Sequence, residues 1–323
     1  MLISLAALVT GFIIDLLLGD PRSIPHPVVI IGKLISLLER VLRKAFPKTA
    51  KGERLAGLVL WIAVCVLTLG VSWGVLYFAG KAGLWLRFII ESVMCWQILA
   101  VKSLKDESMK VYHALRKEGT EAGRRAVSMI VGRDTETLDR AGVIKATVET
   151  VAENASDGVV APMFFAALGG APLGMLYKAV NTMDSMLGYV EEPYKNIGFV
   201  PAKMDDIFNW IPARLSAVFM LIAGWFIGLD VKKGREIFRR DRYKHASPNS
   251  AQTESCCAGL MNVQLAGDAW YHGVLHKKEF IGDDIRPVML DDIPLACKLM
   301  YVTAGVSLGI LGLLKLIFTV GLL

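Results

Sequence analysis

The sequence predicts an all-α, polytopic integral membrane protein with cytoplasmic helical segments, and three observations predict it. Hydrophobic residues make up 54% of the 323 and charged residues 20%, with a mean hydropathy of +0.48, against about 45–50% and about 25% in ordinary soluble domains. Several stretches approach the roughly 20 apolar residues that a helix needs to cross hydrocarbon. The polar segments between them have helical rather than alternating periodicity, with no repeat at fixed period. Thirty glycines and 12 prolines scattered through this apolar excess exclude a disordered chain, a fibre or one long coiled coil. A net charge of +6 in so apolar a chain points to loops that face anionic lipid and away from nucleic acid.

About five or six membrane segments are expected in one integral domain, 1–323, near 2–19, 55–80, 82–101, 158–177, 212–229 and 299–323. Residues 2–19 lack the basic start and cleavage pattern of a leader and read as a retained first membrane helix carrying Asp15. A loop follows with seven basic residues (Lys33, Arg40, Arg43, Lys44, Lys48, Lys51 and Arg54) against Glu39 and Glu53, which marks it as cytoplasmic. Residues 55–80 carry no charge and hold Trp61, Trp73 and Tyr77. Residues 82–101 contain Arg87 and Glu91, four apart on one helical face, either a structural ion pair or a site at membrane depth.

The polar segment 102–157 has ten basic and ten acidic residues and is expected in the cytoplasm. Residues 158–177 are uncharged but broken by Gly169-Gly170-Ala171-Pro172, so a span and a re-entrant hairpin are both open. The segment at 212–229 is short, with Arg214 at its edge, and 230–298 opens with seven basic residues and reads as cytoplasmic. Both polar segments share one side only if 158–177 truly spans or 212–229 is half inserted. Residues 299–323 are apolar apart from Lys315, whose stem can snorkel toward headgroups. The five cysteines form no CxxC pair, which argues against a disulfide framework.

Four groups of polar residues stand out. Asp20, Arg22 and His26 lie in GDPRSIPHP, where three prolines stiffen either a substrate loop or a plain helix exit. Glu149, Glu153 and Asp157, with Asn154 and Ser156, recur every four residues on one helical face. There they repel unless a cation such as Mg²⁺ or a basic partner sits opposite, the alternative being a solvated acidic face. Lys178, Asn181, Asp184 and Ser185 share another face, followed by Asp205, Asp206, Asn209 and Arg214. Lysine suits phosphate, and the aspartates suit metal. His245, Ser247, Asn249 and Glu254 surround a proline turn suited to phosphate or carboxylate. His272 and His276 have an i,i+4 metal-like spacing without a completing ligand and read as a surface pair. No GxxxxGK[ST] occurs, so a P-loop ATPase is unsupported.

Taken together, GDPRSIPHPV, VGRDTETLDRAG, ENASDGVVAP, YKAVNTMDSMLGY, DDIFNWIPARL and KHASPNS closely resemble the membrane-bound adenosylcobinamide-phosphate synthase family of cobalamin biosynthesis, in order and over nearly the whole chain. The resemblance implies an ATP-dependent amide ligase joining adenosylcobyric acid to (R)-1-amino-2-propanol phosphate, or to free aminopropanol. ATP and Mg²⁺ are the implied cofactors, the cobalt corrinoid is a substrate, and the active site faces the cytoplasm of a multi-pass cell-membrane protein. Membrane lipid is an implied partner, and a homo-oligomer is open.

Onto that reading we place Glu153, Asp157, Lys178, Asp184 and His245 as catalytic. Metal ligands are drawn from Glu153, Asp157, Asp184, Asp205 and Asp206. Substrate contacts are drawn from Asp20, Arg22, His26, Asn154, Asn181, Ser185, Arg214, Ser247, Asn249 and Glu254. His245 or Glu153 serves as base toward the amine. The family pattern HPSPNAGWPE stands here as HASPNSAQTE, without the aromatic and with alanine in place of the first proline. The competing classes, a polytopic transporter or a non-catalytic membrane sensor, rest on Asp15, Arg87 and Glu91. A transporter is expected to show broken helices in matching halves, and only one Gly/Pro break is evident.

Overall fold

The computed structural model describes residues 2–21, 23–271 and 273–321, with the Val320 side chain also left aside. The expectations placed on Arg22 and on the pairing of His276 with His272 therefore lie outside the described residues. The chain is helical almost throughout and forms two compact units, one comprising residues up to Ala100, Ala161–Asn209 and those from Ile310 onward, the other Val101–Val160 and Trp210–Gly309.

The first unit opens with α1 (Leu2–Leu18), which packs along α4 (Leu84–Ile98). Between them stand α2 (Pro27–Ala45) and α3 (Ala50–Ala82). The stretch expected as a basic loop after the first helix is thus largely helix. His26 caps α2 by accepting the Val28 N–H, and Pro27 occupies its first position. Ile31 and Ile35 of α2 bury against Leu60 and Val64 of α3, and against Val180, Met183 and Leu187 of α9 (Ala171–Leu187).

The Gly-Gly-Ala-Pro signal breaks residues 158–177 as expected: α8 (Ala161–Gly169) stops at Gly170, whose φ of +72° suits glycine, and α9 restarts with Pro172 in its first turn. With nine residues α8 is too short to span by itself, and it packs back on α9. Lys315, on α14 (Asp292–Gly321), does not snorkel. It is buried and donates to the carbonyls of Ala166 and Ala167 at 3.4 and 2.8 Å, where α8 runs out of its own N–H partners. Arg87 Nε lies 3.7 Å from the fully buried Glu91 carboxylate, the structural ion pair of the two readings. The unit is completed by α10 (Phe199–Phe208).

The second unit contains α5 (Val101–Lys117), α6 (Thr120–Val127) and α7 (Arg140–Asn154). From α7 the chain passes into a π-helical turn at Ala155–Val160. Further on come α11 (Trp210–Phe226), α12 (Val231–Asp241) and α13 (Ser250–Met261). All twelve residues of α13 are buried, which makes it the axis of the unit. The segment 230–298 is not wholly helical. It holds two short antiparallel pairs, β1 (Leu265–Ala266) with β4 (Phe280–Ile281), and β2 (Ala269–Tyr271) with β3 (Val274–His276). Strands of two or three residues leave no alternation long enough to read from sequence.

Among the described residues three helices are long and apolar enough to cross a membrane: Ala50–Ala82, Leu84–Lys117 in which α4 runs on into α5, and Asp292–Thr319. A fourth arises if α10 and α11, bent by 46° at their junction, make one broken span. Leu2–Leu18 is a shorter apolar helix.

Candidate functional site

In the second unit the side chains converge on a cavity of about 130 Å³. One wall is α7, whose start is fixed by Asp139 accepting the Gly142 N–H at 2.7 Å. One helical turn separates its Glu149 and Glu153, which face the cavity together with Asn154. The third carboxylate expected on this face, Asp157, does not line the cavity. It falls inside the π-turn, where the wider winding breaks the every-fourth-residue register.

The second wall is α13. Ser250 Oγ, in its first turn, donates to Glu153 Oε1 at 2.7 Å, and Glu254 follows one turn later. Glu254 is 5% exposed and its Oε2 is buried without a hydrogen bond. Burial, followed by the neighbouring Glu153 and Glu149 charges, raises its pKa well above the ordinary glutamate value. His245 closes the cavity from the loop after α12. Its Nδ1 accepts the Ser247 N–H at 3.0 Å, which leaves the proton of the neutral ring on Nε2. Burial lowers the His245 pKa, against the opposing pull of Glu153, so the ring acts near neutrality as a donor.

The basic side chains here come from positions outside the candidate set read from sequence. Arg133 Nη2 pairs with Glu149 Oε2 at 2.5 Å, and Glu149 Oε1 accepts the Ala266 N–H at 2.6 Å, so Glu149 is fully engaged in bracing the loop and β1. Lys278 Nζ donates to Tyr271 Oη at 2.8 Å, and both residues line the cavity. Gly267, with φ of +91°, also lines the cavity and leaves room for the Phe280 ring, which a Cβ there would meet. Arg133 lies within VGRDTETLDRAG, the signal through which it was findable; Tyr271 and Lys278 lie in no motif. Beside the cavity, Arg214 donates to Trp210 O at 2.6 Å and to Asn249 Oδ1 at 3.3 Å, while Asn249 N–H donates to Ser247 Oγ at 3.3 Å.

The first unit holds the remaining candidates. Asp20, His26 and Lys178 line an open groove of about 750 Å³. The loop that carries the first two is pinned by Trp96 Nε1 on Gly19 O at 2.9 Å and Gln97 Nε2 on Pro25 O at 3.2 Å. His26 Nε2 lies 3.7 Å from Asp20 Oδ1, and burial lowers the His26 pKa.

Asp205 turns inward to accept from Asn209 at 3.0 Å and Asn181 at 3.4 Å, whereas Asp206 turns outward to Lys203 at 3.0 Å. Neighbours on a helix point about 100° apart, so these two do not act as a chelating pair. Ser185 Oγ donates to Asn181 O on its own helix at 2.9 Å. Asp184 and Asp205 are close enough for their charges to interact. Among the described residues no group of three His, Cys, Asp or Glu is arranged to hold a metal ion. Glu153 and Asp157 belong to one unit and Asp184, Asp205 and Asp206 to the other.

Fold and site together define a helical membrane protein whose buried carboxylates, imidazole and cations suit chemistry on a phosphorylated or carboxylate substrate. The family model described as CobD/Cbib protein matches residues 8–300. The chain belongs to this CobD/CbiB family of cobalamin biosynthesis proteins. It is 43% identical to the cobalamin biosynthesis protein CobD of Photorhabdus laumondii over 314 residues, covering 97% of this chain and 98% of that one. It is 44% identical to CbiB of Salmonella typhimurium over 301 residues, covering 93% and 94%, and 45% identical to CobD of Streptococcus sanguinis over 314 residues, covering 97% and 98%. No solved structure matches it.

Proposed function

We propose that this chain is an ATP-dependent acid–amine ligase of the cell membrane, with its site on the cytoplasmic side. It joins adenosylcobyric acid to (R)-1-amino-2-propanol phosphate or to free aminopropanol, giving adenosylcobinamide phosphate or its unphosphorylated form. The observation that carries this reading is the cavity in which Glu153, Glu254 and His245 meet Arg133 and Lys278, within a chain of a cobalamin biosynthesis family.

A carboxylate resists an amine because its oxygen leaves poorly. In the proposed reaction the corrinoid propionate takes the γ-phosphoryl group of ATP, forming an acyl phosphate and releasing ADP. The amine nitrogen then bonds to the acyl carbon, the bond from that carbon to the phosphate oxygen breaks, and inorganic phosphate leaves. Glu153 accepts the amine proton, its carboxylate aimed by the Ser250 hydroxyl. His245 donates through Nε2 to a phosphate oxygen, and Lys278 offsets phosphate charge.

Mg²⁺ bound with ATP would supply further neutralisation of phosphate charge. Glu254, with its unbonded buried oxygen, offers the hard donor that fits it, and Mg²⁺ sites of this kind need only one or two carboxylates beside phosphate oxygens and water. The small cavity suits the aminopropanol portion. A corrin ring is too large for this cavity and needs an open surface.

The test is purified protein with adenosylcobyric acid, aminopropanol phosphate, ATP and Mg²⁺, read by mass spectrometry of the corrinoid and by ADP release. Amide product with one ADP each supports the ligase. Neither product, in protein that still binds corrinoid, overturns it.

A further inference from the structure

The helix α2 carries two exposed stripes, whose first members, Ile30 and Lys33, also line the groove beside Asp20, His26 and Lys178. Ile30, Leu37 and Val41 are 65%, 55% and 51% exposed, and their spacing of seven and four places them on one line along the helix. Lys33, Arg40 and Lys44 repeat the same spacing three residues later, and all three are exposed. At about 100° per residue the cationic line runs roughly 60° around from the apolar one. The opposite side of the helix, with Ile31 and Ile35, is buried in the core.

The acidic residue of this helix, Glu39, is already neutralised by Arg43 at 2.8 Å, and Arg43 reaches on to Glu53 at 3.8 Å. The open face is therefore purely cationic beside a purely apolar strip. Lys33 and Arg40 also flank a shallow groove of about 470 Å³ between α2 and Met186.

We infer that α2 meets the membrane surface and binds anionic phospholipid, its Ile30–Leu37–Val41 stripe toward the acyl region and Lys33, Arg40 and Lys44 on the headgroup phosphates. This division of apolar and basic faces is that of an interfacial helix, with each basic residue adding to the attraction for anionic lipid. A second copy of the chain fits the face poorly, because a twofold contact sets each cation against its own kind. The helix also adjoins the start of the spanning helix α3, where Lys48, Lys51 and Arg54 continue the basic belt.

The experiment uses the full chain in bilayer nanodiscs. All five native cysteines are buried, so Leu37→Cys and Ser36→Cys each offer one accessible thiol for a small fluorophore. Brominated phosphatidylglycerol or brominated phosphatidylcholine is supplied at equal mole fraction, with iodide as the aqueous quencher. The expected result is lipid quenching at position 37, iodide quenching at position 36, and quenching at 37 roughly twofold or more stronger with phosphatidylglycerol. The excess should disappear in Lys33→Gln/Arg40→Gln/Lys44→Gln, whose exposed sites leave folding intact. Equal quenching by both lipids overturns the anionic preference. Iodide quenching at 37, or protection from every quencher, overturns the membrane contact and assigns the face to water or to a protein.

Discussion

Replacing Arg133 with methionine isolates the ion pair that braces the cavity. Arg133 and Glu149 side chains are 14% and 11% exposed, with N and O 2.5 Å apart. Removing one partner of a buried pair costs about 3–5 kcal/mol, most of it from the charge left behind. Partial exposure and the surviving Ala266 N–H bond to Glu149 reduce this to about 2–3 kcal/mol. Arg133→Met/Glu149→Gln removes both charges yet keeps an amide oxygen for Ala266, and should lose only about 1 kcal/mol. At about 2 °C or more per kcal/mol in a chain this large, the single variant should unfold roughly 5 °C lower and the double variant about half as far. The assay is thermal unfolding in detergent followed by the fluorescence of the seven tryptophans. A double variant as unstable as Arg133→Met, or worse, would refute the view that an uncompensated Glu149 charge is the source of the loss.

Glu153→Gln keeps an acceptor for Ser250 but no base, so turnover should fall about 10²–10⁴-fold with unfolding temperature unchanged; a drop under tenfold removes Glu153 from proton transfer. Glu254 has a raised pKa in the fold, so it stays protonated longer there than in the unfolded chain, and stability declines as pH climbs above the ordinary glutamate value. Glu254→Gln should therefore become more stable relative to the native chain between pH 5 and pH 8, measured as the difference in unfolding temperature. The lowered His245 pKa has the opposite sign: stability is lost as pH falls below about 6.5, and His245→Gln should flatten that acid limb. Asp157→Asn tests the carboxylate displaced by the π-turn; loss of turnover in a folded variant keeps it in the reaction, and near-normal turnover excludes it.

The long apolar helices α3 and α14 were legible because such runs have no other stable arrangement, and the break at Gly170 because glycine and proline impose it locally. Helix α2 was not, since seven cations in the stretch from Lys33 to Arg54 give it the composition of a basic loop and mask the Ile31, Ile35, Leu38 and Leu42 periodicity beneath them. In the site, Glu153, Asn154, His245 and Glu254 were each named and do meet. Asp157 does not join them, because four-residue spacing assumes an α-helix and the chain is π-helical there. Arg133 and Lys278 were left out of the candidate set for a different reason: each reaches the cavity through tertiary pairing, with Glu149 and Tyr271 respectively, and spacing along the chain does not encode it.

The complete burial of α13 also sets how the cavity moves. A helix without a solvent face exchanges its amide hydrogens only when its whole unit opens, so Ser250 and Glu254 sit on the slowest-exchanging part of that unit. Tyr271 and Lys278 stand instead on and beside strands of two or three residues, whose few backbone bonds open at far lower free energy. The carboxylates of α13 thus belong to a rigid floor beneath a cover that opens more readily.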